Sequence, residues 1–207
     1  MKRYLILAAA VALALSGCKQ EAASEAPVAA ADPAPATSPV TEPVATPEPA
    51  VVAPVAADTQ ASFAGYGDMK LGSTVEEAKT AWAGELQESA PASGSTCHYL
   101  MPKWVSKSSE FGFMVEEGKF VRYDVGTDKE IAPGGGKVGM VVEQLKLLYG
   151  AALQSAPDKY VEGGKVFSLA APDGTPAKLV FQVDGVGRVT AWRVGLPPQV
   201  DYVEGCS

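Results

Sequence analysis

Two stretches of the chain carry apolar residues at helical spacing: Val75, Ala78, Trp82 and Leu86, then Val142, Leu145, Tyr149 and Leu153. Recurrence every three or four residues gathers those side chains on one face of a helix. Thr74, three positions before Glu77, predicts a capping box where the first helix starts. Elsewhere the apolar pattern shortens to alternation with period two, which suits a strand with one buried face. It predicts strands over residues 96–101 and 165–170. It also predicts two hairpins, 112–116 with 119–125 and 178–184 with 188–195, turning at Glu117-Gly118 and between Asp184 and Gly187.

The two helix starts read almost alike. Leu71 pairs with Val138, Gly72 with Gly139, Val75 with Val142, Glu76 with Glu143, Lys79 with Lys146 and Trp82 with Tyr149. The echo continues in LQESAP (86–91) against LQSAP (153–157), and in Phe113-Met114-Val115 against Phe181-Gln182-Val183. Gly118-Lys119-Phe120-Val121 then answers Gly187-Arg188-Val189-Thr190. A matched helix, loop and hairpin in the same order implies an internal repeat of about 70 residues. The expected architecture is α+β: two tandem helix-plus-antiparallel-meander units, 61–134 and 135–207, with the helices on one face of the sheet. Pro133-Gly134-Gly135-Gly136-Lys137 is then a flexible joint between the units. It lacks the Gly-Lys-Ser/Thr spacing of a phosphate loop.

Composition changes the picture upstream. Lys2 and Arg3 precede an apolar run from Leu5 to Leu15, too short to span a bilayer that needs roughly 20 helical residues. Residues 1–17 therefore read as a secretory signal ending at Leu15-Ser16-Gly17-Cys18. From Lys19 to Gln60 there are 13 Ala and 8 Pro in 42 residues, a net charge of −5 and no aromatic side chain. Nothing there offsets the entropy of ordering, so residues 18–60 are expected to be a disordered tether. Fully extended, it would reach on the order of 130 Å. The remaining 147 residues hold every Trp and Phe and carry a net −4. That balance argues against a nucleic-acid surface, which shows a basic patch.

Leu15-Ser16-Gly17-Cys18 resembles the lipobox of bacterial lipoproteins. The resemblance implies lipidation of Cys18 and anchorage to the bilayer through its acyl chains. Lys19, where an inner-membrane retention signal has Asp, implies the outer membrane, periplasmic face. Leu71-Gly72-x-Thr74-x-x-Glu77 with the later Phe113-x-Val115-x-x-Gly118-Lys119 hairpin resembles the SmpA/BamE-like lipoprotein repeat. Two such units in tandem resemble the β-lactamase-inhibitor-protein arrangement. Both families are non-enzymatic protein binders, which implies a binding or inhibitor module. The alternative implied is a structural or assembly accessory of the outer membrane.

Candidate chemistry is sparse. With Cys18 lipidated, Cys97 and Cys206 form an even pair in an oxidising compartment, a disulfide candidate closing a loop of about 110 residues. His98 is the only histidine, so no Ser-His-Asp triad or His-based metal site can be assembled. No catalytic residue, metal or cofactor is expected, and the partner is expected to be another envelope protein. Interfaces favour Trp, Tyr and Arg. Trp104, in the polar loop 102–110, is the leading candidate. Tyr123 and Trp192 hold matched hairpin positions beside Arg122 and Arg193. Alternation puts each aromatic and its Arg on opposite faces, and either face can be the buried one.

Overall fold

The computed structural model describes residues 59–206. The signal segment, Cys18 and the tether up to residue 58 lie outside the described residues. The chain opens with three two-residue strands, β1 (Ala61–Ser62), β2 (Gly65–Tyr66) and β3 (Met69–Lys70), which form a small antiparallel sheet. Helix α1 (Val75–Trp82) follows. Thr74 Oγ1 accepts from the Glu77 amide at 3.3 Å, and Glu77 Oε2 accepts from the Thr74 amide at 2.8 Å. This is the expected capping box, which satisfies two otherwise unpaired donors.

Eight strands then make one antiparallel sheet. They are β4 (Leu86–Glu88), β5 (His98–Pro102), β6 (Phe111–Glu116), β7 (Lys119–Val125), β8 (Gln154–Pro157), β9 (Lys165–Ala170), β10 (Lys178–Val183) and β11 (Val189–Gly195). Helix α2 (Val142–Tyr149) lies between β7 and β8 in the chain. The spatial order is β4-β5-β6-β7-β11-β10-β9-β8, so β7 and β11 meet at the centre. Their register pairs Trp192 with Val125 and Val194 with Tyr123. Both predicted hairpins are present, each with a register shift near its turn, at Met114/Val115 and at Gln182/Val183.

The α+β expectation of two helix-plus-meander repeats is overturned. Among the described residues the fold is mostly β: eleven strands in two antiparallel sheets, with two α-helices of only eight residues each. Leu86 and Leu153 were expected as the last apolar turns of longer helices. Instead α1 stops at Trp82, where Ala83 turns left-handed at φ 55°, and Leu86 begins β4. Beyond α2 the chain makes a single 3-10 turn before Leu153 leads into β8. The strands β1 to β3 are too short to leave any periodic signal. The glycine segment 133–137 is not a loose joint either. Gly136 is buried, and its amide donates to the Tyr149 hydroxyl at 2.9 Å, which in turn donates to the Pro133 carbonyl at 2.8 Å.

One face of the large sheet holds the main core. Leu100, Phe113, Val115, Phe120, Tyr123, Phe181, Trp192 and Val194 are fully buried there against Met69, Ala78 and Leu145. Phe113 meets Phe120 edge-on at 5.7 Å, and Tyr123 meets Trp192 edge-on at 5.9 Å. Such pairs add about 0.5–1.5 kcal/mol each beyond their buried area. The opposite face carries a smaller cluster of Cys97, Tyr99, Met101, Met114 and Val121, with Cys206 against it. Among the described residues, no helix is long and apolar enough to cross a membrane.

Candidate functional site: a polar cleft under the C-terminal segment

Alternation on β7 sends Tyr123 into the main core and Arg122 and Asp124 to the other face. On β11 it does the same with Trp192 and Arg193. Arg122 and Arg193 are nevertheless buried, at 3% and 5% exposure. The cover is the chain after β11, residues 196–206, which crosses this face and returns to β5. Disulfide Cys97–Cys206 pins its end. Val121 and Leu196 begin the crossing, the Leu196 amide donating to the Val121 carbonyl at 2.9 Å.

Arg122 organises the closure. Its Nε donates to both Asp124 oxygens at 2.9 Å, and its Nη2 lies 2.8 Å from Asp124 Oδ1. Nη1 donates to the carbonyls of Gln199 and Tyr202, each at 2.9 Å, and Nη2 reaches the Tyr99 hydroxyl at 3.4 Å. The Tyr99 hydroxyl donates to Asp124 Oδ2 at 3.1 Å. Burial works against the Arg122 cation, but Asp124 and Tyr99 outweigh it and hold the guanidinium above its ordinary value. Burial, then the Asp124 charge, raises the Tyr99 phenol. A charge pair so buried is stabilising only while every donor and acceptor is met, and here Arg122 is met throughout.

Arg193 is placed differently. Its Nε donates to the Val200 carbonyl at 2.7 Å. Burial, then the neighbouring Arg122 cation, pulls it down to about 10. Both arginines line a cleft of about 180 Å³, together with Tyr99, Ser108, Asp124 and Gln182. A larger hollow of about 610 Å³ lies against the single loop 155–165 and opens to solvent, without converging side chains from other elements.

The five residues expected at a partner surface are thus divided among three places. Tyr123 and Trp192 are in the core, Tyr123 donating to the Ser62 carbonyl at 2.8 Å. Arg122 and Arg193 come together, but under the C-terminal segment. Trp104 alone is at the surface, 70% exposed, its ring stacked on Phe111 at 6.0 Å and 10°. A notch of about 110 Å³ beside it is bounded by Val105, Phe111, Thr127, Lys129 and Glu130. His98 sits 4.0 Å from Glu88, and the adjacent Cys97 sulfur is consumed in the disulfide. Asp124, Tyr99, Gln182 and Ser108 were not singled out in the sequence. Asp124 carried one signal, an acid two positions from Arg122 on the same strand face. Among the described residues, no three His, Cys, Asp or Glu lie close enough together to hold a metal ion.

The fold and site together define a mostly-β protein with a disulfide-pinned C-terminal segment over one sheet face. No protein-family model matches the chain, and no curated protein matches it. Among solved structures, the chain is similar to an extracellular protein containing a SCP domain from Bacillus anthracis str. Ames. The similarity has a TM-score of 0.40 and 11% identity over 61% of this chain and 44% of that one. The chain therefore spans less than half the length of that protein.

Proposed function

We propose that this is an outer-membrane-anchored periplasmic lipoprotein whose head is a non-enzymatic protein-binding or inhibitor module. The observation that supports this reading is Trp104. A tryptophan 70% exposed yet stacked flat on Phe111 offers a large contact area whose orientation is already set. Little side-chain freedom is then lost on docking, and tryptophan is among the commonest anchors of protein interfaces. The lipobox supplies the membrane end of the reading, through acylated Cys18.

The test is a photocrosslinking residue at position 104 of the full-length protein in cells, with position 175, in the exposed loop between β9 and β10, as control. A discrete protein adduct at 104 and not at 175 is the expected result. Equal labelling at both positions, or none at either, would overturn the reading. The identity of the adduct separates an inhibited soluble enzyme from outer-membrane assembly machinery. In parallel, Cys18→Ser should release the protein from the membrane fraction.

A further inference from the structure

Arg193 is a buried cation that Asp124 and Asp201 offset only from a distance, without a direct ion pair. Its recorded hydrogen bond uses Nε alone, and among the described residues neither Nη has a protein acceptor. Among the described residues, no ion pair joins it to Asp124 or Asp201. Asp124, the acid nearest in the cleft, already gives both oxygens to Arg122 and Tyr99. Two arginines and one aspartate line the cleft, and Asp201 acts on Arg193 from outside it. Arg193 is nonetheless 95% removed from solvent, since its exposure is 5%. Neither Nη is among the buried polar atoms left without a partner, so the Nη edge opens to the cleft, where water or a ligand accepts from it.

We propose that the cleft under the C-terminal segment binds one carboxylate group, held by the Nη1–Nη2 edge of Arg193. With Nε committed to Val200, that edge is the part of the guanidinium left to engage a ligand. Two parallel N–H donors match the two oxygens of a carboxylate. The cleft, about 180 Å³ against roughly 30 Å³ for one water, has room for such a group and a short stem. Gln182 lies diagonally across from Arg193, since Gln182 pairs with Ala191 and Val180 with Arg193. Its amide is placed to meet the outer side of the same ligand. The site is on the face opposite the main core, separate from Trp104, and does not depend on the partner reading given above.

The experiment is thermal unfolding of the disulfide-intact protein titrated with acetate, with chloride at equal ionic strength as reference. Acetate should raise Tm saturably and chloride should not. Arg193→Lys keeps the charge but loses the fork, and should weaken the response by about tenfold. Gln182→Glu is the decisive variant, because it supplies a carboxylate from within. It should raise Tm without ligand and abolish the acetate response, an outcome that misfolding cannot imitate. A short peptide with a free C-terminus, compared with its amide, separates a chain terminus from a small-molecule acid as the natural source. Equal shifts with acetate and chloride would mean a water-filled cleft. That result, or a Gln182→Glu protein that still responds to acetate, overturns the proposal, as would a response to phosphate alone.

Discussion

Gly72 and Gly139 form the same corner in two places. The Gly72 amide donates to the Phe120 carbonyl at 2.7 Å, and the Gly139 amide donates to the Val189 carbonyl at 2.8 Å. Phe120 answers to the Ser73 carbonyl at 2.9 Å, and Val189 to the Met140 carbonyl at 2.8 Å. Each corner seats a helix start against the strand following a hairpin turn. The two glycines have φ of 85° and 89°, and no atom lies within 4 Å of where a Cβ would stand on either. The cost of a side chain is therefore backbone strain alone. Gly72→Ala and Gly139→Ala should each cost about 1–2 kcal/mol and agree within about 0.5 kcal/mol, by urea unfolding. Gly136→Ala should cost more, because its Cβ would stand 2.5 Å from the Phe181 ring and 2.8 Å from the Tyr149 hydroxyl.

Ser73, inside the first corner, has a buried hydroxyl with no hydrogen-bond partner. Removing an unmet buried polar group removes its desolvation cost. Ser73→Ala should be neutral or stabilise by up to about 1 kcal/mol, read from the same unfolding curves.

These corners show what could be read from the chain before its structure. The hairpins and the cap of the first helix were legible because they rest on contacts within a few residues: alternation, a glycine turn, Thr74 with Glu77. Leu86 and Leu153 misled because an apolar residue one turn beyond a helix has the same spacing as one inside it. The burial of Arg122 was beyond reach for a different reason. It depends on carbonyls at Gln199 and Tyr202, 77 and 80 positions away, and a backbone carbonyl has no residue type to betray it. The exposure of Trp104 was legible because a polar loop offers it little to bury against.

Reduction of Cys97–Cys206, or the double Cys→Ser variant, should lower stability by about 2–4 kcal/mol. Hydrogen exchange should rise first in residues 196–206, with Arg122 and Asp124 losing their cover next. Intact mass under non-reducing conditions should show no free thiol at either position. Two free thiols would exclude the bridge.

Stability should fall in alkali. Burial pushes the Tyr149 phenol up to about 12, and it raises Tyr66, Tyr99 and Tyr123 as well. A phenol whose folded value exceeds the unfolded one near 10 stabilises the fold fully below pH 10. That contribution is lost as pH climbs from 10 through about 12, up to about 3 kcal/mol for Tyr149. Arg193, lowered to about 10, works in the opposite direction over the same range, but four tyrosines oppose one arginine. Tm measured from pH 8 to 11.5, beside tyrosinate absorbance, checks this. Tyr149→Phe should flatten the decline and cost about 1–2 kcal/mol at neutral pH, because the buried Gly136 amide loses its acceptor.

Trp104→Ala should leave folding almost untouched, costing under about 1 kcal/mol, because the side chain is mostly in solvent. Any larger loss, seen as a shifted urea midpoint, would make Trp104 a structural cap on Phe111.

The position of Cys206 also sets a clock on the molecule's making. Its bridge to Cys97 spans 109 residues of chain and lies after every strand of the sheet. At ordinary synthesis rates Cys97 waits roughly 5–20 s before its partner exists. For the part of that interval between residues 125 and 189, β7 is complete but its neighbour β11 has not been made, so the central edge of the sheet stands open beside a free thiol. The segment after β11 therefore both brings the second cysteine and covers the charged face. A partner or oxidant that acts during this interval meets a different surface from the one the finished protein presents.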